Sequence, residues 1–153
     1  MISEAHLKEK HKLITIHYYL QNMKLSHNSN ILVLSHFYVR ATAGGGPPQE
    51  VREYLLKKVN KIVYIEHPFP YADDKRSSMS VYENGKLKEQ LFTPIRNGPE
   101  VFFYFADFWI SAYFILKSKK IFDACIALDC LNTISTIPFR FLGIIKKLIF
   151  YTI

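Results

Sequence analysis

The stretch ILVLSHFYVRATAGGGPPQEVREYLLKKVNKIVYI, residues 31–65, decides the fold class. It opens on Ile31-Leu32-Val33-Leu34, an unbroken apolar run of the kind found in strands covered on both faces. The loop that follows ends in Gly44-Gly45-Gly46. Pro47-Pro48 then open a helix, since proline suits a first turn where no amide donor is needed. Val51, Tyr54, Leu55 and Val59 recur at helical spacing and form one apolar face. Glu50 and Glu53 come early in that helix and Lys57 and Lys58 late, the order the helix dipole favours. Ile62-Val63-Tyr64-Ile65 is a second buried strand. Strand, glycine-rich loop, amphipathic helix and strand make a βαβ unit, with parallel strands and a right-handed crossover.

On the N-terminal side, residues 1–27 are basic and rich in histidine, with His6, His11, His17 and His27. Their spacing matches no metal-binding pattern, and the segment reads as an extension outside the fold. On the C-terminal side, His67-Pro68-Phe69-Pro70 must be extended, because a residue before proline avoids helical angles. Asn84-Gly85 marks a tight turn between Met79–Glu83 and Lys86–Phe92, a small hairpin inserted at the sheet's periphery. A helix starts at Asn97-Gly98-Pro99-Glu100 and runs to about Ser118, apolar almost all round, with Asp107 and Ser111 as polar exceptions one turn apart. A strand over Ala124–Leu128, a helix over Asn132–Leu142 containing Pro138 and ending at Gly143, and a strand over Leu148–Ile153 follow. The expected fold is α/β and Rossmann-like: one domain over residues 28–153, a mainly parallel sheet with helices on both faces, and the hairpin insertion.

Composition narrows the function classes. With 49% hydrophobic residues, six Gly and seven Pro in 153 residues, the chain is neither disordered nor collagenous. Two cysteines, Cys125 and Cys130, are too few for a disulfide scaffold and fit a reducing compartment. The early apolar stretch Leu13 to Leu20 contains His17 and lacks a cleavage site, so no signal peptide is expected. Val101 to Leu116 falls short of the ~20 residues a bilayer core demands and contains Asp107; it reads as a buried or membrane-touching helix. The net charge of +7 favours phosphates or acidic lipid. Nucleic acid is not expected, because the Lys and Arg residues do not gather into one stripe.

In open parallel sheets, ligands bind at the carboxyl ends of the strands where strand order reverses. Strand one ends at His36 and its loop, strand two at Glu66-His67 and a later strand at Asp129 to Asn132; with the usual strand order, the Gly44 to Gly46 loop and the Asp129 to Asn132 turn line one crevice. Gly44, Gly45 and Gly46 before a helix can present backbone amides to a phosphate, or serve as a flexible connection. Asp129 reads as a base, as a holder of a sugar hydroxyl or as a helix cap. Asp107 reads as hydrogen-bonded to Ser111 or a neighbour, and His36 as structural or part of the site. Cys125 belongs to the core, and Cys130 has no activating histidine beside it. No Ser-His-Asp order, zinc spacing or paired-carboxylate motif is present.

Ile31-Leu32-Val33-Leu34-Ser35-His36, then Ala43 to Gly46, then Glu50-Val51 with Tyr54-Leu55, resembles the opening of glycosyltransferases built from two Rossmann-like domains (the GT-B architecture, group 1, family 4-like). Phe122 to Asp129 and Lys147 to Ile153 look like the fourth and fifth strands of the same N-terminal domain. The resemblance implies transfer of a sugar from a nucleotide-sugar donor to a glycan or lipid-linked acceptor, with no cofactor and no metal. By this resemblance Gly44, Gly45 and Gly46 face the donor phosphates, and His36, Asp129 and Asn132 lie on the acceptor side. The donor-gripping C-terminal domain of such enzymes has no counterpart in this sequence. The resemblance therefore implies a chain inactive alone, completed by a further domain or a partner chain. An alternative in the same family is a non-catalytic subunit that binds the acceptor or recruits it at the membrane. Either would place the protein in the cytoplasm, at the inner face of the membrane if it makes a peripheral contact there.

Overall fold

The computed structural model describes residues 25–37 and 47–151. Strand β1 (Asn30–Phe37) lies inside a six-stranded sheet, which is why Ile31 to Leu34 need no polar face: all four are wholly buried. Helix α1 (Pro47–Lys58) leads to β2 (Lys61–Pro68), which pairs parallel with β1 in the register Ile31↔Ile62 and His36↔His67. The hairpin β3 (Ser78–Glu83) and β4 (Lys86–Phe92) comes next, then α2 (Glu100–Lys117), β5 (Ala124–Ala127), α3 (Cys130–Phe141) and β6 (Leu148–Phe150). Strand order across the sheet is β4-β3-β2-β1-β5-β6.

The sheet is mixed, a correction to the mainly parallel expectation. β1 pairs parallel with β2 and β5, and β5 with β6, whereas β2/β3 and β3/β4 are antiparallel. The reason is connection length. The segment Phe69 to Ser77 between β2 and β3 has no helix to carry the chain back across the sheet. A parallel neighbour needs a crossover of about a dozen residues or more, so β3 must return alongside β2 in the opposite sense. The hairpin thus continues the main sheet. Its outer strand β4 carries Lys86, Lys88, Glu89 and Gln90 at exposed positions, and such charged edges resist pairing with other chains. Asn84 and Gly85 turn it with φ of 53° and 72°, the left-handed pair that a two-residue hairpin loop requires.

Alternation along the strands divides the core in two. Ile31, Val33, Ile62, Tyr64 and Ile126 pack against Val51 and Leu55 of α1 and Val59 just beyond it. Leu32, Leu34, Val63, Ile65 and Cys125 face the other way, onto Phe114 and Ile115 of α2 and Phe139 of α3. Helices therefore cover both faces, as expected. Each fully buried side chain of this kind contributes ~1.5–3 kcal/mol. Helix α3 starts two residues before the expected Asn132, because the Asp129 carboxylate accepts the Asn132 amide at 2.8 Å and caps the helix there. It ends in a left-handed Gly143 (φ 74°), with the Ile144 amide returning to the Phe139 carbonyl at 3.0 Å. No described helix is long and apolar enough to cross a membrane.

Candidate ligand-binding site

The order β2-β1-β5 reverses direction at β1, so the carboxyl ends of β1 and β5 flank the topological switch point. Residues 32, 34 and 36 of β1 share one face, as do 63, 65 and 67 of β2. His36 and His67 therefore emerge side by side beneath α2, with ring centroids 5.5 Å apart. Helix α2 directs Asp107 and Ser111, the polar residues of its middle turns, inward toward them, and both are buried.

Asp107 is the hub. Its Oδ2 lies 3.2 Å from His36 Nε2, and its Oδ1 lies 3.2 Å from His67 Nδ1 and accepts from Arg96 Nη1 at 2.6 Å. On its other side, His36 Nδ1 lies 3.0 Å from Asp129 Oδ2. Asn132 donates through Nδ2 to the same carboxylate. Arg96 also donates to Ser77 Oγ at 3.0 Å and lies over the Phe103 ring, 4.9 Å from its centroid. Ser111 Oγ is 2.8 Å from His67 Nε2. Ser77 Oγ is 2.9 Å from His67 Nδ1, so both ring nitrogens of this buried histidine are met by hydroxyls, with Asp107 beside the first.

The electrostatics follow from this arrangement. Burial alone would lower the His36 pKa, but hydrogen bonds and charge from Asp107 and Asp129 outweigh it and raise the value to about 9. Phe69 supports the cation with a tilted ring at 5.5 Å. His67 behaves in the opposite way: complete burial outweighs its contact with Asp107 and lowers its pKa, so it stays neutral. Burial pushes both carboxyls up. His36, His67 and Arg96 nevertheless hold Asp107 well below the ordinary carboxylate range, and His36 with Asn132 lowers Asp129. Two cations, His36 and Arg96, thus balance two anions, Asp107 and Asp129.

Above this network a small cleft of about 50 Å³ is lined by His36, Tyr104, Asp107, Phe108, Leu131, Asn132, Ile134 and Ser135. Its floor is the polar network, and its walls come from α2 and α3. The Asp129 side chain beside it is 30% exposed, against 5% for His36 and 3% for Asp107. Asp129 is thus the more exposed carboxylate, bonded to the lining residues His36 and Asn132, while Asp107 lines the cleft itself. A doubly hydrogen-bonded imidazolium has no lone pair to take a proton, so His36 at neutral pH orients and attracts rather than deprotonates. The lowered Asp129 carboxylate is a hydrogen-bond acceptor more than a base. Among the described residues, no group of three or more His, Cys, Asp and Glu is arranged to hold a metal ion.

Of the residues expected at the site, His36, Asp129 and Asn132 come together in one hydrogen-bonded group. Gly44, Gly45 and Gly46 lie outside the described residues. Asp107 bonds to His36, His67 and Arg96, while Ser111, one turn on, bonds to His67. Cys125 is buried in the core and Cys130 is exposed, both with free thiols. The central role of Asp107 and the parts of His67 and Arg96 escaped sequence reasoning. One signal for His67 was present: Ile31 to His36 and Ile62 to His67 each run four mostly apolar residues, one polar residue and a histidine. In comparisons with known proteins, no family model matches the chain, and neither a curated protein nor a solved structure is significantly similar to it.

Proposed function

We propose that the cleft at the ends of β1 and β5 is the acceptor site of a sugar-transferring enzyme. The chain would supply the acceptor-side domain, and a further domain or partner chain would bring the nucleotide-sugar donor. The observation that carries this reading is the composition of the cleft at the switch point. A polar floor of His36, Asp107 and Asn132, with Asp129 bonded at its edge, faces walls that include the rings of Tyr104 and Phe108. A sugar offers hydroxyls to such a floor and apolar C–H faces to such rings. In this reading Asp129 accepts a hydroxyl proton in a hydrogen bond, and His36 fixes the carboxylate's orientation. The resemblance of Ile31–His36 and Phe122–Asp129 to GT-B enzymes supports the same assignment.

The test is an amide and side-chain NMR titration of the chain with methyl pyranosides and, separately, with uridine diphosphate. The expected result is perturbation of Tyr104, Phe108, Leu131 and Asn132 by a pyranoside, and none at those residues by the nucleotide. Asp129→Asn keeps an oxygen that can cap α3 but removes the charge, and should weaken pyranoside binding by about tenfold, the value of one charge-assisted hydrogen bond. Failure of every pyranoside to perturb the cleft would overturn the reading.

A further inference from the structure

Helix α2 is built inside out. Its polar residues Asp107 and Ser111 point into the protein, while Val101, Phe102, Phe105, Trp109, Tyr113 and Leu116 are exposed. At 100° per residue these six span one continuous stripe of about a third of the helix circumference. Helix α3 beside it repeats the pattern with Leu131, Ile134, Ile137 and Phe141, the last 86% exposed. Both helices cover the same sheet face, and Phe108 of one and Leu131 and Ile134 of the other line the same cleft. The two stripes therefore border one apolar surface, far larger than the scattered apolar residues normal on a soluble domain.

Charge identifies what covers it. Both helices run into strands parallel to β1, so their C-terminal ends lie at the same end of the sheet. Exposed Lys117, Lys119, Arg140 and Lys147 gather there, with Lys146 beside them paired to Asp123 at 2.8 Å. Glu100 is the only acidic residue among the exposed described positions of the two helices, and it stands at the opposite end of α2. Aromatic side chains on an apolar face, bordered by lysine and arginine, match the headgroup region of an acidic bilayer. We propose that the joint outer face of α2 and α3 is a docking surface for a bilayer bearing anionic headgroups. Phe102, Phe105 and Trp109 enter the interface, and the basic end is held by lipid phosphates. This assignment stands independently of what the cleft binds.

Trp109, the chain's one tryptophan, is 59% exposed within the stripe and reports directly on insertion. The full chain is mixed with vesicles of phosphatidylcholine alone and of equimolar phosphatidylcholine and phosphatidylglycerol. Trp109 emission should shift to the blue with the anionic vesicles, be quenched by lipids brominated along the acyl chain, and lose affinity as salt is raised. The Phe102→Ser/Phe105→Ser pair alters only exposed side chains and should keep the circular dichroism spectrum. It should also lower partitioning by tenfold or more, as expected for two lost phenyl contacts. Lys119→Gln/Lys147→Gln should flatten the salt dependence. Equal binding to both vesicle types, binding undiminished by the phenylalanine pair, or no binding at all would overturn the proposal. Self-association that the phenylalanine pair abolishes, without vesicle binding, would instead make this face an interface between copies of the chain.

Discussion

His36 links the stability of the fold to pH in a definite direction. Its pKa is 6.5 in an unfolded chain and about 9 when held between Asp107 and Asp129. The folded state therefore binds the proton more tightly. That stabilisation is complete below pH 6.5 and is lost as the pH rises through about 9. At ~1.4 kcal/mol per tenfold change in proton affinity, it amounts to about 3 kcal/mol. The His36 side chain is 5% exposed, so solvent screening removes little of it. In a domain of this size such a loss lowers Tm by about 6–12 °C. Other groups act outside this window. The lowered pKa of His67, like those of Asp107 and Asp129, affects stability only as the pH falls. The Cys125 thiol, pushed up by burial, becomes unfavourable only near and above its ordinary value of 9.0. The measurement is urea unfolding, followed by circular dichroism, at intervals between pH 6.5 and about 9, on the parent and on His36→Gln. The glutamine keeps a donor but cannot titrate, so the difference between the two chains isolates His36 and cancels Cys125. A parent stability that is flat across this range, or an equal decline in both chains, would refute the doubly paired imidazolium.

Two further perturbations test the network and the hairpin. Asp107→Asn removes the anion shared by His36, His67 and Arg96 and leaves buried positive charge; it should cost about 3–5 kcal/mol and lower the His36 pKa, read from the ring proton shifts. Gly85→Ala should cost about 1 kcal/mol in thermal unfolding, because φ is 72° there. The added Cβ would meet only the Leu56 carbonyl at an ordinary 3.5 Å, and Gly85→Asn, better suited to that angle, should cost less.

What the sequence made legible was governed by local periodicity. Ile31–Leu34 and Ile62–Ile65 read as buried strands because no polar residue interrupts them. Val51, Tyr54, Leu55 and Val59 mark one helix face, and Asn84-Gly85 marks a turn whatever surrounds it. The direction in which the hairpin joined the sheet was not local. It depended on which edge of β2 was open and on how short the link from Phe69 to Ser77 is. The same division holds at the site. His36, Asp129 and Asn132 sit at strand ends, where a parallel sheet gathers its ligands, and were legible from that rule alone. Asp107 was visible as a polar residue on an apolar helix, but which way it points is decided by the packing of Phe114 and Ile115 onto the sheet. Arg96 reaches the network from a segment with no regular structure, where periodicity carries no information.

The closed charge balance around Asp107 also constrains how this protein can vary. Because Asp107 is buried with His36 and Arg96 bonded to it, a replacement that changes the charge of one of these three leaves a charge unpaired in the interior, whereas a matched pair of replacements does not. Neutral drift through this site must therefore proceed by compensating double changes, for example at His36 together with Asp129, or at Arg96 together with Asp107. The interior would tolerate a wholly apolar version of the cluster more readily than any version one step away from the present one.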